Sequence, residues 1–98
     1  MSKTVITLPE LNKIIAQFKE DEHQQGALLV LKGQCKPHLK TGIPKQIAVA
    51  VISQARTGEA ALANIFAERD DDDMFFFHDE KRKALGKVIH IVYEDENE

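Results

Sequence analysis

Apolar residues near the start of the chain recur every three or four positions, whereas further on they bunch into short unbroken runs. The two patterns predict different elements. Leu8, Leu11, Ile14, Ile15 and Phe18 keep the period of a helix with one buried face. Thr7 followed three residues later by Glu10 has the form of a capping box, and Pro9 falls in the first turn, where its missing N–H would be unpaired anyway. A helix over about 8–22 follows, with Gln24, Gln25 and Gly26 letting it end. Ahead of it, the β-branched Thr4, Val5, Ile6 and Thr7 predict an opening strand over Lys3–Thr7.

The run Ala27–Leu31, closed by Lys32-Gly33, has the length of a buried strand. Gln34–Ile43, punctuated by Pro37, Gly42 and Pro44, reads as a loop. Ile47–Ile52 fits either element by period, and its alanines and polar flanks favour a helix with Pro44 in its first turn. Glu59–Glu68 is helical again, with Leu62, Ile65 and Phe66 on one side, and Gly58 predicts a break between the two. If no break occurs, Ile47, Val51, Ala55, Gly58, Leu62 and Ile65 form one stripe. Asp70 to Asp73 stop the helix, because like charges at its negative end are unfavourable. Met74–Phe77 and Lys87–Tyr93 then read as strands, with His78–Gly86 between them too long for a tight hairpin.

The expected fold is therefore α+β: a small antiparallel or mixed sheet of about four strands with two or three helices packed on one face. At 98 residues the chain has room for one domain, 1–98, with its acidic end 94–98 frayed. The longest apolar run, Ile47–Ile52, is far short of the roughly 18 residues of a membrane span, and the N-terminus lacks a secretory pattern. A single cysteine cannot form an internal disulfide, which suits a reducing compartment, so a cytoplasmic protein is expected.

Charge changes the picture more than composition does. The formal net charge is only −3, yet the signs are segregated. No acid occurs from His23 to Gly58, a stretch that holds Lys32, Lys36, Lys40, Lys45 and Arg56. From Glu59 to Glu80 the balance reverses, with Glu59, Glu68, Asp70 to Asp73, Asp79 and Glu80 against Arg69 alone. Lys81, Arg82, Lys83 and Lys87 form a second basic block before the acidic end. Blocks of one sign mark either interaction surfaces or solvated faces.

Candidate chemistry is sparse. Cys35 and His38 have a spacing that two zinc ligands use, but His23, His78 and His90 show no paired spacing to complete a site. Lys36 and Lys40 near Cys35 favour its thiolate, which alone does not make a nucleophile catalytic. Asp70 to Asp73 lack the glycine and the closing glutamate of a calcium loop and read as a solvated helix end. No phosphate-binding glycine loop occurs. Neither a catalytic set, a metal site nor a cofactor motif is expected, which points away from an enzyme.

Phe75-Phe76-Phe77 stands out. On a strand Phe75 and Phe77 share one face and Phe76 takes the other, so a one-sided sheet buries the pair and leaves Phe76 outward. An aromatic centre ringed by charges suits a protein interface, or self-association through the same surface. The expected function is a small non-catalytic protein that regulates or inhibits a larger protein partner, with Phe76, Asp72, Asp73, Lys81, Arg82 and Lys83 as its contact residues. The alternative is a nucleic-acid-binding module using 32–45, through Lys32, Lys36, Lys40 and Lys45, together with 81–87. The absence of aromatics from Gly26 to Ile65 leaves that stretch no platform for base stacking, and the overall acidity opposes it. The net charge is likewise too small to favour Asp70 to Asp73 and Glu94 to Glu98 as an acidic mimic of nucleic acid.

Overall fold

Thr7 and Glu10 cap the first helix reciprocally in the computed structural model, which describes residues 4–94. The Glu10 N–H donates to Thr7 Oγ1 at 3.4 Å, and the Thr7 N–H donates to Glu10 Oε1 at 3.2 Å. The helix, α1, spans Leu8–Gln17 and follows a two-residue strand β1, Val5–Ile6. It stops short of residue 22 because Asp21 is itself a cap: its side chain accepts the Gln24 N–H at 3.1 Å and opens α2, Glu22–Gln34. A 3-10 turn, Lys36–His38, leads to β2, Ile43–Pro44. Two long helices complete the chain: α3, Lys45–Glu68, and α4, Asp72–Tyr93.

The expected α+β fold is corrected to a mostly helical bundle. Among the described residues the sheet is a single antiparallel pair, β1 with β2, in which Val5 faces Pro44 and Ile6 faces Ile43. Lys3, the first residue of the expected strand, lies outside the described residues, as do 95–98 of the acidic end. Ala27–Leu31 is the middle of α2: Gln24, Ala27, Leu28, Leu31 and Cys35 are buried while Leu29 and Val30 are exposed, a helical and not a strand alternation. Met74–Phe77 and Lys87–Tyr93 are the two ends of α4. Packing along a long amphipathic face outweighs the strand preference of their β-branched and aromatic residues. No break occurs at Gly58, which lies exposed inside α3, where it costs about 1 kcal/mol relative to Ala.

The four aspartates both end one helix and start the next. Asp70 takes the left-handed conformation (φ 57°). Its N–H donates to the Ala67 carbonyl at 3.2 Å, and the Asp71 N–H donates to that of Phe66 at 3.0 Å, the paired bonds of a Schellman closure. Asp71 then caps α4 by accepting the Met74 N–H at 3.2 Å. Asp72 and Asp73 occupy the first turn of α4, where negative charge meets the positive end of the helix dipole.

The resulting α3–α4 hairpin is the backbone of the molecule, with α2 laid across α4 and α1 against α2. Its base is the core: Ile6, Leu11, Leu28, Leu31, Cys35, Ile43, Val88 and Tyr93 are fully buried. The main apolar cluster takes no side chain between Ala55 and Ala84. The far half of the hairpin therefore projects from the body as an arm, which accounts for a longest dimension of 44 Å against 25 and 21 Å. Among the described residues, no helix is long and apolar enough to cross a membrane.

Candidate functional site

The seam between α3 and α4 changes character along its length. On α4, Met74, His78, Lys81, Leu85, Val88 and Val92 recur at alternating spacings of four and three. Facing them, Ala48, Ile52, Ala55, Glu59, Ala63 and Phe66 run along α3. The seam is apolar at the base, and Glu59, His78 and Lys81 interrupt it where the arm begins. His78 Nδ1 lies 2.6 Å from Glu59 Oε2, and Lys81 Nζ lies 3.1 Å from Glu59 Oε1. Burial alone pushes the Glu59 carboxyl up, but the hydrogen bonds and positive charges of His78 and Lys81 outweigh it and hold the group below its ordinary value. An ionised carboxylate only accepts, so His78 Nδ1 carries the hydrogen. A polar layer of this kind in a helical seam fixes register, because sliding one helix would strand its buried groups.

Aromatic rings pack around the layer. Phe66 stacks on the His78 ring at 5.5 Å with 1° between planes, and Phe77 meets the same ring edge-on at 5.2 Å. Lys81 Nζ sits 5.1 Å from the Phe77 ring centre, and His23 of α2 reaches that ring at 6.0 Å. These contacts frame a mostly apolar cleft of about 390 Å³ between α2, α3 and α4, bounded by Val30, Ala55, Phe77 and Leu85 with Glu59 and Lys81 at its polar edge.

Phe76 points elsewhere. It is 59% exposed, against 45% for Phe77, while Phe75 is half-buried and meets Phe76 edge-on at 5.5 Å. The expected burial of Phe75 and Phe77 together in a core is thus corrected: on a helix the three rings fan out at about 100° steps, and none joins the main cluster. Helical spacing gathers Asp72, Asp73, Phe76 and Lys83 on the outward face of α4, together with Glu80. It does not bring Lys81 or Arg82 there. Lys81 turns to the seam, and Arg82 is held on a flank by Asp79, with Nη2 2.8 Å from Oδ1. The rim of Phe76 is consequently more acidic than the sequence order implies.

The basic stretch does not converge either. Lys32 Nζ donates to Asn12 Oδ1 at 2.8 Å and Lys45 Nζ pairs with Glu94 at 3.3 Å, while Lys36 and Lys40 are exposed on the segment between α2 and β2. In the second block Lys81, Arg82 and Lys83 are all paired with carboxylates. Cys35, at the end of α2, is fully buried, and burial pushes its thiol up, away from the reactive thiolate. Among the described residues no group of three or more His, Cys, Asp or Glu side chains is placed to hold a metal ion.

Sequence reasoning missed the polar layer because Glu59, His78 and Lys81 fall in three separately read segments. The missing signal was the 4-3 spacing running unbroken from Met74 to Val92. No protein-family model, curated protein or solved structure matches this chain.

Proposed function

We propose that the protein is a non-catalytic binding module that regulates or inhibits a larger protein, and that it engages that partner with the outward face of α4 on the projecting arm. One observation carries this reading: among the described residues Phe76 is the most exposed of the large apolar side chains, and it stands among Asp72, Asp73, Glu80 and Lys83 on a helix packed against α3. An exposed ring adds little to folding and lowers solubility, whereas an aromatic anchor ringed by charges has the anatomy of an interface centre. The acidic rim asks for an apolar pocket bordered by lysine or arginine on the partner.

Affinity capture from nuclease-treated lysate, run in parallel with wild type and Phe76→Ala, tests it. The expected result is a protein retained by wild type and lost with Phe76→Ala, at an unchanged unfolding midpoint. Identical captures by the two proteins, or recovery only of nucleic acid when nuclease is omitted, would overturn the reading.

A further inference from the structure

The face of α3 beside the α4 seam remains unexplained. The helical period places Ile47, Ala50, Val51, Gln54, Gly58, Ala61, Leu62 and Ile65 within a face about 120° wide. Val51 is half-buried against the core, and the other seven are exposed. A β-carbon built on Gly58 would meet nothing within 4 Å, so the surface there is open. It contains five of the six residues of the stripe expected from the sequence if α3 ran unbroken, which it does; the sixth, Ala55, turns to the α4 seam.

This face is its own complement when turned end for end about Arg56. Ile47 then falls opposite Ile65, Ala50 opposite Leu62, Val51 opposite Ala61, and Gln54 opposite Gly58. Each of the two pairs flanking the centre sets a large side chain against alanine, and the central pair sets a long polar one against glycine, so two such helices interdigitate without a clash. Charge agrees with the same operation. The exposed Glu68, Asp70 and Asp71 at the far end of α3 would lie beside the exposed Lys36 and Lys40 of the segment that feeds the near end. A parallel arrangement would instead set acid against acid and base against base.

We infer that the exposed face of α3 is the interface of an isologous antiparallel homodimer, with the two-fold axis crossing it at the level of Arg56, whose own side chain turns the other way, towards Gly86 of α4. The occupant of this face is a second copy of the chain. The outward face of α4, with Phe76, is not used and stays available to a different partner.

Sedimentation equilibrium at micromolar chain concentration should give twice the 11.0 kDa of one chain. Leu62→Lys should halve that mass while leaving the helical circular dichroism unchanged, since Leu62 is exposed. Ala50→Leu combined with Leu62→Ala, which exchanges the large and small members of one pair, should keep the dimer. Direction is read by disulfide trapping. Ile47→Cys mixed with Ile65→Cys should give a mixed cross-linked pair, whereas Ile47→Cys alone should not, because in this arrangement its two copies stand about 27 Å apart along the axis. A single-chain mass, a dimer that survives Leu62→Lys, or efficient cross-linking of Ile47→Cys with itself would each overturn the inference. Raised salt should weaken the dimer through the screened end charges, and a dimer indifferent to salt would remove the electrostatic part of the argument.

Discussion

The Tyr93 hydroxyl donates to the Ile43 carbonyl oxygen across 2.7 Å, and both residues are fully buried. The bond ties the last turn of α4 to β2, the segment that feeds α3, and so closes the base of the hairpin. Burial, and then the nearby Cys35, push the phenol far above its ordinary pKa, so it remains a donor throughout the accessible range. Tyr93→Phe keeps the ring but strands the carbonyl. Stability should fall by about 1–3 kcal/mol, read as a lower urea midpoint at unchanged slope. An unchanged midpoint would mean that the bond contributes nothing net.

Two backbone positions should respond in opposite directions. Gly42 has φ 100°, and a β-carbon there would stand 2.5 Å from Val5 Cγ1, so Gly42→Ala should destabilise by more than about 1 kcal/mol. Asp70 occupies the left-handed region at φ 57° with a β-carbon it does not need there, and Asp70→Gly should raise stability by roughly 0.5–1 kcal/mol. Thermal melts of the two variants decide both signs. A loss with Asp70→Gly would show that its side chain supports the turn.

Acid should loosen the arm through Glu59. Its carboxyl is held below the ordinary value in the folded protein, so its contribution is fully present above the ordinary carboxylate range and is lost as pH falls through the lowered value. Asp79, held down by Arg82 and Lys83, and Glu94, held down by His90 and Lys45, act in the same direction. Glu59→Gln should lower stability at neutral pH by about 1–3 kcal/mol and flatten the decline in acid. Urea midpoints between pH 7 and pH 3 test this, and parallel curves for the two proteins would exclude Glu59 as a source of the slope.

The three phenylalanines should separate by burial. Phe76→Ala should change the unfolding midpoint least, within about 0.5 kcal/mol. Phe75→Ala and Phe77→Ala should each cost more than that but less than the roughly 3–5 kcal/mol of a core aromatic, since Phe75 is half-buried and Phe77 partly exposed. Phe77→Ala should also loosen Lys81 and His23, whose contacts it mediates. A large loss for Phe76→Ala would place that ring in the fold instead of on the arm's surface.

Local signals in the sequence were readable where a side chain acts on its own backbone. The Thr7–Glu10 cap, the start of α1 and the helical nature of Ile47–Ile52 could all be seen in this way. Errors came from windows too short for the period. Ala27–Leu31 and Lys87–Tyr93 look like strands in isolation, and only residues outside those windows, Gln24 and Cys35 or Met74 and Leu85, show that burial repeats at three and four. Asp70 to Asp73 were correctly read as a helix end, yet the same aspartates also begin α4, because an acidic cap is as favourable at an N-terminus as it is unfavourable at a C-terminus. Of the candidate site, Phe76, Asp72, Asp73 and Lys83 share a face. Lys81 and Arg82 do not, since neighbours in sequence point apart on a helix.

Cys35 turns the core into a clock. It is the chain's single cysteine and has no exposed surface, and its burial disfavours the thiolate that would react. A thiol reagent can therefore reach it only when the end of α2 separates from the base of the hairpin. The labelling rate in excess reagent counts those openings directly, without denaturant and at any pH where the freed thiol reacts. The same seclusion keeps the native thiol silent when cysteines are placed on α3, so each trapped disulfide there reports the introduced positions alone.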